Sequence, residues 1–198
     1  FIERISSKLR IVVLSSFLAV AVIFASLSYN FDFPFQYYKI GEEVDSFNGV
    51  SVYYNGTSAG IHGVHYTSDG YDLGIKWQCV EFVRRYYLEV YGHKMPSDFG
   101  NAVDYYDESV PHGECNSSRG LIQFKNNGVS TPSSGDILVF DGGYGHVAIV
   151  TSANIRSIKF IQQNVNKKSR DEVIICKSIQ GLQFHSDSSV LGWLRISP

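Results

Sequence analysis

The chain has 198 residues and a formal net charge of −2, with a sequence pI near 6.3 and no basic stripe of the kind that nucleic-acid binding leaves, so no nucleic-acid partner is expected. Hydrophobic residues make up 44% and aromatic residues 14%, enough for one sizeable core with an N-terminal appendage rather than two domains. Three cysteines and six scattered histidines, with no Cys-x-x-Cys or His-Glu-x-x-His spacing, speak against a zinc site, and no cofactor is expected.

Residues 1–10 carry Arg4, Lys8 and Arg10 and read as a cytoplasmic N-terminus. Ile11 to Leu27 is uncharged and apolar on every side, so residues 11–28 read as a transmembrane anchor or signal segment. That orientation predicts a single-pass, membrane-anchored protein with its domain on the non-cytoplasmic side, secreted if the segment is cleaved. Residues 29–40 are an aromatic linker, and residues 41–198 form the globular domain. Asn48 to Tyr54 alternates as a strand, and Gly56 to Gly70 reads as a long loop.

From Cys79 the apolar residues Val83, Tyr86 and Val90 recur at helical spacing, Glu81 and Arg85 stand in favourable i,i+4 order, and Gly92 supplies the C-cap. Asn101 to Tyr106 reads as a second short helix, and Pro111 to Arg119 as a loop holding Cys115. Ile137 to Phe140, His146 to Thr151, Ile158 to Gln163, Val173 to Cys176 and Gly192 to Ile196 read as strands. One Cys-bearing helix followed by an antiparallel sheet predicts an α+β domain. In an oxidising compartment, cysteine arithmetic would pair Cys115 with Cys176 and leave Cys79 free.

Cys79 falls in the first helical turn, where unpaired N–H groups and the helix dipole favour a thiolate, and a depressed pKa is predicted for it. A nucleophilic thiol needs a base and a third group to orient that base. His146 follows a Gly-rich turn and opens a strand, so its ring can face a helix N-terminus. A hairpin centred near Asn154 or Ile155 reflects His146 onto Gln162, Gln163 or Asn164, of which Gln162 and Asn164 share one face. One of these amides is expected to accept a hydrogen bond from the imidazole. Gln78, beside Cys79, is a candidate oxyanion donor.

KWQCVEFVRR, GHVAIVT, the QQNV stretch and the terminal LGW resemble the CHAP family of cysteine amidohydrolases and peptidases, of the glutathionylspermidine-amidase kind. The resemblance runs from about Pro34 to Ile196. It implies a papain-like fold with Cys79 as nucleophile, His146 as base, and amide hydrolysis through a thioester acyl-enzyme. It also implies that Arg84 holds a substrate carboxylate. The family's third catalytic residue is usually Glu, and Gln162 stands in its place, with Asn164 matching a family asparagine. The resemblance leaves two enzymatic readings, a glutathionylspermidine-like amide or an exported cell-wall peptide as substrate. A third reading is a silent binding module, which the neutral Gln162 favours and the intact Cys79, His146 and Gln78 oppose.

Overall fold

A computed structural model describes residues 37–126, 130–165, 168–178, 181–185 and 190–197. Strands β1 (Glu43–Phe47) and β2 (Val50–Tyr53) form an antiparallel hairpin closed by Asn48 and Gly49, both at positive φ. A second small hairpin, β3 (Val64–Tyr66) with β4 (Asp72–Ile75), leads into helix α1 (Cys79–Tyr91). The remaining strands are β5 (Glu114–Asn116), β6 (Leu121–Lys125), β7 (Ile137–Phe140), β8 (His146–Ala153), β9 (Ser157–Ile161), β10 (Arg170–Ser178), β11 (Gly181–His185) and β12 (Val190–Arg195). They form one eight-stranded sheet in the order β11-β10-β9-β8-β7-β12-β6-β5, antiparallel at every pairing.

The two-residue alternation of these strands divides the core. Ile137, Val139, Val147, Ile149, Ile161 and Leu194 pack with Cys79, Phe82, Val83, Tyr86 and Tyr87 of α1. Leu138, Phe140, Ala148, Val150, Phe160 and Trp193 belong to a second cluster, as expected when successive side chains leave opposite faces. Burying each large apolar side chain contributes roughly 1.5–3 kcal/mol, which anchors the helix to the sheet. Gly92 ends α1 at φ 65, with its N–H on the Leu88 carbonyl at 2.9 Å. Only a residue at ease in the left-handed region closes a helix this way.

The architecture corrects the α+β expectation with a transmembrane helix. The described residues are mostly sheet with a single α-helix, and no helix among them is long and apolar enough to cross a membrane. Residues 11–28, on which the anchor was expected, lie outside the described residues, as do residues 1–10 and most of 29–40. Sheet replaces the other expected elements for local reasons. The second helix shrinks to a 3-10 turn at Val103–Tyr105, because Asp104 accepts from the Asn101 N–H and its backbone is spent on a turn. Part of the glycine-rich 56–70 stretch pairs as β3, while β5, β6 and β11 add short strands that no clean alternation announces. Cys115 is an exposed free thiol on the edge strand β5. Cys176 lies on β10, six strands away in the sheet order, and at about 4.8 Å per strand that is roughly 29 Å along the sheet. A disulfide requires Cα atoms within about 7 Å, so the expected pairing fails.

Candidate active site

Cys79 is the first residue of α1, preceded by Gln78 in extended conformation, φ −78 and ψ 163, with no side-chain cap. The uncapped first turn leaves backbone N–H groups aimed at sulfur. The backbone N–H groups of Val147, Val80 and Cys79 itself lie near enough to the thiol to favour its ionised form. The contact with Val147 places it one residue from His146, at the start of β8. Cys79 is only 8% exposed. Burial pushes its thiol up, and this outweighs the N–H groups that pull it down, so the depressed pKa expected from helix position is corrected.

His146 is positioned by the turn before it. Gly145 sits at φ 71, and a Cβ there would come within 2.5 Å of the Val103 nitrogen. Val103 N–H donates to the Tyr144 carbonyl at 3.1 Å, which ties the 3-10 turn to this loop. Glycine is therefore required immediately before the imidazole. His146 Nε2 lies 2.9 Å from Gln162 Oε1, and Gln162 Nε2 donates to the Lys168 carbonyl at 3.1 Å. That carbonyl can only accept, so the amide nitrogen must face it and the amide oxygen must face His146. The imidazole therefore carries its proton on Nε2, and Nδ1 is left with a lone pair. Burial pushes His146 down to about 4, only partly offset by the bond it donates to Gln162. The resting thiol and imidazole are both neutral.

Asn164 is placed elsewhere. At φ 69 it turns its side chain away from His146; Oδ1 accepts from Asn55 Nδ2 at 2.7 Å, and Nδ2 donates to the Ser58 carbonyl at 3.1 Å and to Gln78 Oε1. Gln78 Nε2 in turn donates to the Gly60 carbonyl at 2.7 Å and reaches that of Ser58 at 3.5 Å. Of its two amide hydrogens, one is well bonded and the other is held only at the limit of hydrogen-bond distance. Asn164 thus holds Gln78 against loop 55–60, and of the two only Gln162 meets the His146 imidazole.

Arg84 is 1% exposed, lies over the Tyr71 ring at 5.1 Å, and leaves Nε and Nη2 with no hydrogen-bond partner among the described residues. An unpaired guanidinium is costly to bury. Its donors are unspent next to Tyr105, whose hydroxyl is also unpartnered there. The sequence reading gave Glu81 no role in the site. Glu81, fully buried, accepts from His65 Nδ1 at 2.8 Å, Arg85 Nε at 2.6 Å and Gln163 Nε2 at 2.7 Å. Burial pushes the Glu81 carboxyl up, but these three partners outweigh it and hold it below its ordinary value. The Glu81–Arg85 spacing was the available signal, but a helical i,i+4 pair is usually solvated, and nothing local announced its burial.

No cluster of His, Cys, Asp or Glu among the described residues could hold a metal ion. The CHAP domain family matches residues 68–164, a stretch that contains Cys79, His146, Gln162 and Asn164. The chain contains a CHAP domain. The bifunctional glutathionylspermidine synthetase/amidase of Escherichia coli (strain K12) is 30% identical over 145 residues, which are 65% of this chain and 23% of that protein. The protein of the same description from Shigella flexneri matches to the same extent. The glutathionylspermidine synthase of Crithidia fasciculata is 28% identical over 139 residues, 63% of this chain and 19% of that protein. The chain therefore spans less than a quarter of the length of these relatives. The CHAP domain and these matches support a CHAP-type amide hydrolase.

Proposed function

We propose that this CHAP domain hydrolyses an amide bond through a thioester on Cys79. The observation that carries the reading is the 2.9 Å His146–Gln162 bond, which leaves Nδ1 unprotonated at the start of the strand whose Val147 N–H touches the Cys79 sulfur. His146 Nδ1 takes the thiol proton as sulfur attacks the amide carbon. The oxyanion is met by the Cys79 N–H and by the second amide hydrogen of Gln78. The C–N bond then breaks, and the imidazolium gives its proton to the departing amine. Water, deprotonated by His146, attacks the thioester; the acid leaves and the thiol is restored.

The walls beside His146 support an amine leaving group that carries further positive charge. Residues 95–118 contain no Lys or Arg, and neither do residues 126–155. Asp104, in the 3-10 turn tied to Tyr144, and Asp141, next to the Phe140 that pairs with His146, are exposed near this loop. Exposed carboxylates beside a site raise the local concentration of cations. A glutathione–polyamine amide fits this wall, in keeping with the names of the relatives. The purified chain is expected to hydrolyse that amide, at a rate that falls as salt is added, and to leave purified peptidoglycan intact. Release of peptide ends from peptidoglycan, with no cleavage of the polyamine amide, would replace this substrate with a cell-wall peptide. Tight binding without turnover of either would leave a binding module.

Arg84, with two buried donors unspent, is assigned to a substrate carboxylate under this reading. Arg84→Met is expected to raise KM about tenfold or more for an amide bearing a free carboxylate, the scale of one lost charge-assisted hydrogen bond, and to leave KM for the matching carboxamide unchanged. Equal losses on both substrates would show that Arg84 acts on packing alone.

A further inference from the structure

The adjacent residues Gln162 and Gln163 leave β9 in opposite directions. Gln162 meets the imidazole. Gln163, 1% exposed, spends both its amide hydrogens and its amide oxygen on the other side. Its Oε1 accepts from the Tyr53 N–H at 2.7 Å, and its Nε2 donates to Glu81 Oε2 at 2.7 Å and to the Gln78 carbonyl at 3.0 Å. The Gln78 carbonyl is the last backbone group before the nucleophile, and it also accepts the first helical bond, from Phe82 N–H at 3.2 Å. Glu81 is itself fixed by Arg85 and His65, and Arg85 lies over the Tyr53 ring at 4.9 Å. The amide of Gln163 thus has one available orientation.

We infer that Gln163 is a positioning residue: through the Gln78 carbonyl it sets where Cys79 stands, while its neighbour Gln162 sets where His146 stands. One dipeptide then fixes the separation of nucleophile and base. Two independent anchors on one rigid strand end hold that separation more tightly than contacts from two loops would, and a displacement of about 1 Å can cost about 100-fold in rate. Glu81 serves as the charged anchor that keeps the Gln163 amide nitrogen turned toward the helix.

The inference rests on the reading of Cys79 and His146 as a reacting pair, and alkylation of Cys79 by iodoacetamide tests it without any amide substrate. Alkylation is followed by mass spectrometry, so that exposed Cys115 is counted separately. Gln163→Met removes the bonds to Gln78, Glu81 and the Tyr53 N–H. The double change Glu81→Gln with Gln163→Glu keeps the net charge, a hydrogen bond between the two side chains and the acceptor for Tyr53 N–H. It replaces the donor to Gln78 with an acceptor and moves the carboxylate from position 81, where Arg85 and His65 meet it, to position 163. Both are expected to slow Cys79 alkylation and amide turnover about 10- to 100-fold while the acid limb of the pH profile, set by His146, stays in place. Arg195→Ala, which breaks the distant pair with Asp136, is the control for lost stability and is expected to keep wild-type rates below its melting temperature. Wild-type alkylation rates in the two Gln163 variants would overturn the inference, and so would losses no greater than their loss of folded protein, or failure of both to fold. A wild type that alkylates at Cys79 but cleaves no amide would refute the proposed function and leave the alkylation test of Gln163 standing.

Discussion

Replacing Cys79 with alanine is expected to abolish amide turnover, a fall of about 10⁴-fold or more, because it removes the only group that can form the acyl-enzyme. The substitution deletes one sulfur from a buried position at a helix start, so the variant should remain folded and still bind substrate. Unchanged binding with lost turnover is the signature of a group that acts on the reacting bond. The thiol itself should behave differently from a preformed thiolate. Burial pushes Cys79 up and His146 down to about 4. In the free enzyme both groups are therefore neutral over a wide range between about 4 and the raised thiol pKa, and the proton moves only as attack begins. Alkylation by iodoacetamide should be slow at neutral pH and rise at alkaline pH, while kcat/KM should form a broad plateau between the same limits. Retained turnover in Cys79→Ala would remove the thiol from this mechanism, and fast alkylation of Cys79 at pH 6 would replace the neutral resting pair with a preformed thiolate.

That His146 comes beside the 162–164 stretch was legible because it depends on the alternation and symmetry of one hairpin, a local property of the chain. The choice among Gln162, Gln163 and Asn164 was not legible. Alternation assigns faces, but a register shift between Val150 and Ser152 and the positive φ of Asn164 decide where the side chains end. Gln163 turns to the helix and Asn164 to loop 55–60, and each finds there a partner more than 80 residues distant in sequence. The same limit explains the thiol. Helix position is written in the residues around Cys79, whereas its burial is imposed by Val147 and the strands packed on α1, and burial is the larger effect. The extent of sheet was hidden for a related reason. Short strands such as β5 and β3 are held by their neighbours, not by a period of their own.

Gln162 carries the second large expectation, and its two substitutions should move the acid limb in opposite directions. The hydrogen bond His146 donates to Gln162 is the one influence that raises His146 against burial. Gln162→Ala removes it, leaves the Nε2–H unpartnered and frees the ring. Turnover should fall about 100-fold or more, and the limb, already near pH 4, should move lower still. Gln162→Glu places a carboxylate against the same Nε2. That stabilises the imidazolium and raises His146 by about 1–3 pH units, so the limb moves up by the same amount. At neutral pH the thiolate–imidazolium pair is then more populated, and alkylation and turnover should exceed wild type. Below the new limb His146 is protonated before substrate arrives, and the variant should fall beneath wild type, so the two profiles cross. The exchange has a structural cost: Lys168 loses the amide donor that now binds its carbonyl at 3.1 Å, about 1–3 kcal/mol of stability. An amide at this position therefore satisfies two partners where a carboxylate satisfies one. Asn164→Ala, acting through Gln78, should lower the plateau without moving the limb. If Asn164→Ala moves the limb and Gln162→Ala does not, the orienting role belongs to Asn164 and the 2.9 Å bond to His146 has no part in catalysis.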